Sequence, residues 1–312
     1  MNVSEHSDGN ECLTSSKTNP LHKLAAVSEV LLVRFVIYSL VALALMQVMY
    51  GTPAPDQYPL ESYYVVGSLW FVIPAVMILG LRREPHLYGL TSVSSRQSVD
   101  LALSAFPFMV LGMNAVMVLL MMLGWSYLEP LGALTLTASL TVASLFIIRM
   151  SYRKYPSFHN VSVPYRTHCI NVVAILLLLL LPMVLGLVLG RLSLLLVSTV
   201  VWQFVFSGFG EEVFFRGYIQ SRLNMAFGRP FEWLGIRFGV GLFISASIFS
   251  VTHMLNTANI WLGDFNIAWW WGTFSLVGGI LLGLLREKTG SVVASGTLHG
   301  LEAVGEGLAL LF

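Results

Sequence analysis

Charge is scarce in this chain. Only 11% of its 312 residues are Asp, Glu, Lys or Arg, and the formal net charge is +1. A soluble domain carries roughly a quarter charged residues, so this composition excludes a soluble surface over most of the length. Cysteine is nearly absent. Cys12 and Cys169 stand far apart, which excludes a disulfide framework and a cysteine-based metal knuckle. No basic tract is present, and without one there is no electrostatic footprint for nucleic acid. The HExxH spacing, which places two zinc-binding histidines on one helix face, does not occur. No internal repeat is evident, and no polar stretch is long enough to fold alone. The first 25 residues are rich in Ser, Asn and Thr. They lack the basic start, apolar run and small-residue cleavage site of a secretory leader, and read as a polar, disordered tail.

What is abundant is apolar sequence, at 56%. Runs of about 18 apolar residues or more mark membrane helices. Nine candidate spans follow: 26–49, 63–81, 99–124, 131–149, 170–190, 193–211, 238–254, 269–285 and 291–311. The pair flanking Arg191 could instead form one kinked or re-entrant unit, giving eight. Basic residues alternate between successive connectors. Lys17 and Lys23 precede the first span, none lies in 50–62, and Arg82, Arg83 and Arg96 come next. The positive-inside rule then places the N-terminus in the cytoplasm. The expected fold is all-α: a polytopic membrane bundle of eight or nine helices around a polar intramembrane cavity.

Against that background the segment GFGEEVFFRG, 208–217, is anomalous. Ionisable side chains inside a membrane usually face a cavity or a partner. Glu212 and Arg216 are four apart and share a helix face, so they can neutralise each other. Glu211 points about 100° away and is left without that partner. A carboxylate in a wet pocket within an apolar surround can act as a general base; headgroup-level solvation is the bland alternative. Two histidines fall within spans, His253 in FSVTHMLN and His299 in GTLHGLEA. The turn around Gly228 and Pro230 lies midway between Glu211 and His253. Antiparallel helices leaving one turn bring such positions to similar height.

These residues resemble the signature motifs of the CAAX-protease and bacteriocin-processing (CPBP) family of intramembrane proteases, of the type II CAAX prenyl endopeptidase kind. EExxxR is matched by Glu211, Glu212 and Arg216, and FxxxH by Phe249 and His253. The third motif, a His with Asn or a similar residue four positions on, is met only in His299, since position 303 is Ala. The resemblance covers about 195–303 and divides the chain into the tail (1–25), N-terminal membrane helices (26–190) and a catalytic membrane core (191–312). It implies that Glu211 activates water, that His253 assists, and that His299 helps stabilise the oxyanion. Ala303 removes one expected oxyanion donor; a water, a backbone N–H or another side chain such as Glu302 could fill in. Asn256, one turn after His253, bonds it or caps the helix.

The resemblance also implies a membrane-anchored or membrane-inserted protein or peptide substrate, and a multi-pass location in the prokaryotic inner membrane. A metalloprotease would use His253, His299 and Glu211 around zinc; a metal-free glutamate–histidine mechanism uses the same residues. The competing functions are a catalytically impaired scaffold or immunity protein of this fold, and a proton-coupled transporter. Other features have simpler readings. AWWWG, 268–272, suits interfacial anchoring. Gly278, Gly279 and Gly283 suit close helix packing. Arg34, in the first span, is expected to snorkel to the cytoplasmic side.

Overall fold

The computed structural model of the protein describes residues 19–53 and 59–311. Its first helix, α1 (Pro20–Tyr50), begins six residues before the expected span and absorbs the end of the expected tail. The reason is local. Asn19 caps the helix by accepting from the Leu21 N–H at 3.0 Å, and Pro20 takes the first helical position, where a missing N–H costs nothing. The rest of the tail lies outside the described residues. At the far end Gly51, at φ 71°, stops α1 with the left-handed turn that glycine allows.

Six further helices are long and apolar enough to cross a membrane among the described residues: α2 (Leu60–Gly80), α3 (Ser95–Met122), α4 (Pro130–Lys154), α5 (Tyr165–Val188), α6 (Leu194–Phe227) and α7 (Val240–Thr257). The chain is therefore a multi-pass integral membrane protein with an all-α bundle. The two segments flanking Arg191 are separate helices, α5 and α6. The eighth and ninth expected spans are helical too, but of a different kind. In α8 (Trp271–Thr289) the last turn carries Arg286, Glu287 and Lys288. The final segment is broken at Leu301 into α9 (Val293–Gly300) and α10 (Glu302–Ala309).

Helix α6 runs 34 residues without interruption. At the α-helical rise that is about 50 Å, beyond the roughly 30 Å hydrocarbon core. It ends in a two-stranded antiparallel hairpin, β1 (Phe231–Trp233) and β2 (Ile236–Phe238), a departure from the purely helical expectation. Leu234 and Gly235, both at positive φ, make the two-residue turn that favours such hairpins.

The bundle closes through small residues and charge. A Cβ on Gly279 of α8 would meet the Ala246 Cβ of α7 at 3.1 Å, so these helices pack nearly backbone to backbone. Gly283 instead makes room for the side chains of Leu242 and Gln220, and a Cβ on Gly278 would make only an ordinary contact with Leu140. Glu29 of α1 gathers Arg83 at 2.6 Å, the Tyr218 hydroxyl at 2.7 Å and Arg222 at 2.8 Å. That cluster ties the N-terminal helices to α6. Both apolar cores likewise draw on the two parts of the chain. One joins Leu101, Leu136 and Leu281; the other joins Val30, Trp70 and Phe215.

Candidate active site

Helix α6 is not a regular α-helix where it carries the acidic pair. It widens to π-helical turns over Gln203–Gly210 and again over Val213–Gln220. Glu211 and Glu212 sit between them. π-turns cluster at functional sites because they re-aim side chains that an α-helix would stack.

Each glutamate keeps one buried oxygen, Oε2, without a hydrogen-bond partner among the described residues. They differ in what holds them, and of the two only Glu211 lines the cavity described below. Glu212 is fully buried, and its Oε1 ion-pairs with Arg216 Nη1 at 2.7 Å. The same oxygen lies 3.1 Å from His299 Nδ1. A carboxylate oxygen accepts, so Nδ1–H donates and the ring is oriented with Nε2 uncommitted. Arg216 is in turn anchored to α8, where Nη2 reaches the Gly279 carbonyl at 3.4 Å. Glu211 is buried as well, at 7% exposure, but its Oε2 has no hydrogen-bond partner among the described residues. A buried carboxylate oxygen left unpaired is costly. It persists where something in the surrounding structure or a ligand requires it.

His253 closes the last full turn of α7. Its Nδ1–H donates to the Phe249 carbonyl at 2.9 Å, which leaves Nε2 as the free lone-pair nitrogen. Phe249 is the common floor of the site. Its ring lies 4.3 Å from the His253 ring, 6.1 Å from the His299 ring and 4.2 Å from the Arg216 guanidinium. The FxxxH spacing therefore has two uses: one carbonyl fixes a tautomer, and one ring fixes three polar groups.

A cavity of about 340 Å³ brings Glu211, His253, His299, Glu302 and Asn256 to one wall system. Its other side is an apolar cup that includes Met109, Met113, Leu140, Phe274 and Leu282. Glu302 is half-buried on this cavity, and the exposed Glu306 stands at its edge. Ala303 is fully buried. Asn256 lines the cavity from the 3-10 turn that ends α7 and does not bond the His253 nitrogen that Phe249 holds.

Three readings from sequence change. Trp271 is part of the site, lining the cavity with its ring edge-on to His253 at 5.5 Å; within AWWWG, only Trp269 and Trp270 are exposed. Gly278, expected only to pack helices, lines the cavity. Arg34 does not snorkel. It is buried and donates to Thr252 Oγ1 at 3.0 Å. Ser207, one turn before Glu211, also lines the cavity and was not anticipated.

Residues 192–304 match the Rce1-like family, described as type II CAAX prenyl endopeptidase Rce1-like. The match spans α6 through α9 and into α10, so every Glu, His and Phe of the three motifs lies within the Rce1-like segment. It bears out the resemblance read from those motifs. No curated protein and no solved structure matches the chain.

The zinc alternative needs a donor set, not only donors. Among the described residues no group of three His, Cys, Asp or Glu side chains is placed to hold a metal ion. His299 is turned toward Glu212, and the Phe249 ring packs against both imidazoles. The residues of the Rce1-like segment do not fit a two-His, one-carboxylate zinc site as they stand, and no step below runs through a metal.

Proposed function

We propose that the protein is an intramembrane endopeptidase in which Glu211 is the general base. The observation that carries this reading is the unpaired, buried carboxylate of Glu211 on a cavity that also holds two imidazoles, each with Nε2 uncommitted. Glu211 takes a proton from water, and the resulting hydroxide adds to the scissile carbonyl carbon. His253, whose Nε2 accepts, orients that water. His299, held by Glu212, faces the developing oxyanion and donates to it in its protonated form. The C–N bond then breaks, and the proton on Glu211 passes to the leaving amine. Preorganised donors at the oxyanion are worth roughly 3–4 kcal/mol each in hydrolases. Ala303 contributes none. Asn256 and Ser207, both on the cavity, are candidate donors in its place.

The family description supports a substrate cut near a lipid-tethered end, and the apolar cup suits a prenyl or aliphatic group. The basic connectors support a cytoplasmic N-terminus. The test uses the full chain in lipid nanodiscs with an S-farnesylated peptide and its unmodified counterpart. Wild type cleaves; Glu211→Gln and His253→Ala do not, while both insert and remain monodisperse. Cleavage by Glu211→Gln at the wild-type rate removes Glu211 as the base.

One observation favours a second reading. The buried methyl of Ala303 stands where the family pattern expects a polar side chain. A scaffold that binds lipid-tethered peptides without cutting them would show saturable binding and no turnover in the same assay.

A further inference from the structure

Arg34 is a buried cation that makes no salt bridge among the described residues. It lies in the π-helical stretch Leu32–Ile37 of α1, outside the Rce1-like segment. It is 8% exposed, and among the described residues its one hydrogen bond is from Nε to Thr252 Oγ1. A guanidinium has five N–H donors, so four remain uncommitted. Its plane is held in an aromatic frame, 4.9 Å from the Tyr38 ring, 5.3 Å from Trp70 and 5.4 Å from Phe35. Tyr38 and Trp70 are themselves stacked at 4.3 Å. Burying an unpaired charge is expensive, and this one is also locked in orientation.

What it faces is a groove of about 580 Å³ between α1, α2 and the segment following α7. Glu211 is on its wall. So are Trp202 and Asn256, and these three residues also line the smaller cavity that contains both histidines. Glu211 thus stands where two compartments meet. On one side are the imidazoles and the apolar cup; on the other is Arg34.

We propose that Arg34 binds a carboxylate of the substrate: the free α-carboxylate at a peptide C-terminus, or an acidic side chain beside it. This rests on the peptidase reading and names the anchor that sets which bond reaches Glu211. The groove offers one guanidinium, and Glu211 on the same wall is itself negative when it acts as base, so an added anion should carry no more than one charge. Among the described residues Arg34 is the one cation lining it and Glu211 the one acid, with Tyr, Trp, Phe, Leu and Met around them. A dianionic phosphate would leave an uncompensated charge, whereas a carboxylate takes two parallel N–H bonds from one guanidinium. The anchored peptide would then run from Arg34 past Glu211, with its lipid or apolar side chain in the cup. Extending it beyond the carboxylate would push the scissile bond out of register.

Binding is measured on the full chain carrying Glu211→Gln, in nanodiscs, so that no turnover occurs. The probes are dansylated S-farnesyl-cysteinyl peptides with a short apolar tail: one ending in a free acid, one in an amide, and one amidated with Asp at its last position. The free acid is expected to bind about tenfold tighter than the amide or more. Adding Arg34→Gln abolishes that preference and leaves the affinity for the amide unchanged, which also reports that the variant is folded. Arg34→Lys retains part of the preference. An Asp peptide that matches the free acid identifies a side-chain carboxylate as the source. Equal binding of acid and amide, a preference that survives Arg34→Gln, or no binding of the acid overturns the proposal. Because the readout is binding, acid-selective binding without cleavage by the wild-type chain would sink the peptidase reading and leave this one standing.

Discussion

His299 Nδ1 and Arg216 Nη1 meet the same oxygen of Glu212, at 3.1 Å and 2.7 Å. One oxygen of the second glutamate is therefore held twice, while its Oε2 is buried without a hydrogen-bond partner among the described residues. The first, Glu211, makes no ion pair or hydrogen bond among the described residues. Adjacent residues of one chemical type thus have separable duties, one holding the site in shape and the other left open to water or substrate.

That division predicts opposite outcomes for two isosteric changes. Glu212→Gln leaves Arg216, at 1% exposure, as an unpaired buried cation. Removing one partner of a buried pair costs about 3–5 kcal/mol, so thermal unfolding in detergent should fall steeply, and activity with it. Glu211→Gln removes an unpaired carboxylate and should be neutral or stabilising, while cleavage is lost. If both variants unfold alike, the assignment of separate duties is wrong.

Phe249 is expected to matter through its ring rather than its bulk. Phe249→Leu keeps the backbone carbonyl that holds His253 but loses the contacts to both imidazoles and to Arg216. The core cost should be about 1–2 kcal/mol, and kcat should fall at least about tenfold with KM little changed. Phe249→Tyr should retain most activity. A Leu variant with wild-type kcat would make the ring a packing residue only.

Gly208 of α6 and Gly300 of α9 set how close Glu212 and His299 come. A Cβ at position 208 would lie 2.6 Å from the Gly300 nitrogen, and backbone cannot swing aside as a side-chain tip can. Gly208→Ala should therefore push α9 away and stretch the contact between His299 and Glu212. Overpacking of this kind costs about 1–3 kcal/mol. The variant should insert normally and lose most of its activity. Full activity would mean that the two helices are free to part.

Much of this was legible in the residues themselves. The bundle follows from runs of apolar sequence. Glu212 and Arg216 follow from their spacing, and Glu211 and His253 from the shared turn between α6 and α7. The Arg34 side chain was misread because snorkelling is the usual fate of an arginine in a span. It lies fourteen residues past the start of α1, or about 21 Å along the axis, but only eight past the start of the expected span, so the misplaced boundary hid its depth. The link between His299 and Glu212 could not be read, because it depends on how α9 packs against α6, and the Gly208–Gly300 approach that permits it joins residues 92 apart in sequence. The hairpin at 231–238 escaped because Leu234 takes a positive φ that leucine rarely adopts.

A chelator tests the donor set. With no three His, Cys, Asp or Glu side chains placed around one point among the described residues, cleavage in nanodiscs should be unchanged after prolonged dialysis against EDTA or phenanthroline. Loss of activity that zinc restores would show that His253, His299 and Glu211 rearrange around an ion when substrate is bound.

Asn256 offers the sharpest test of how the site works without a polar side chain at 303. It lines both cavities, as Glu211 does, and no other side chain holds its amide among the described hydrogen bonds. If it donates to the oxyanion, Asn256→Ala should lower kcat by a factor of about 100 or more, the usual effect of losing such a donor, with KM nearly constant. Asn256→Asp should be as poor, since a carboxylate repels the charge it would need to stabilise. Restoring the polar side chain with Ala303→Asn should then recover part of the rate in the Asn256→Ala background, because either position can supply the same hydrogen bond. A rescue seen equally in the wild-type background would instead mean that Asn256 was never the donor and that the site runs below its capacity for want of one.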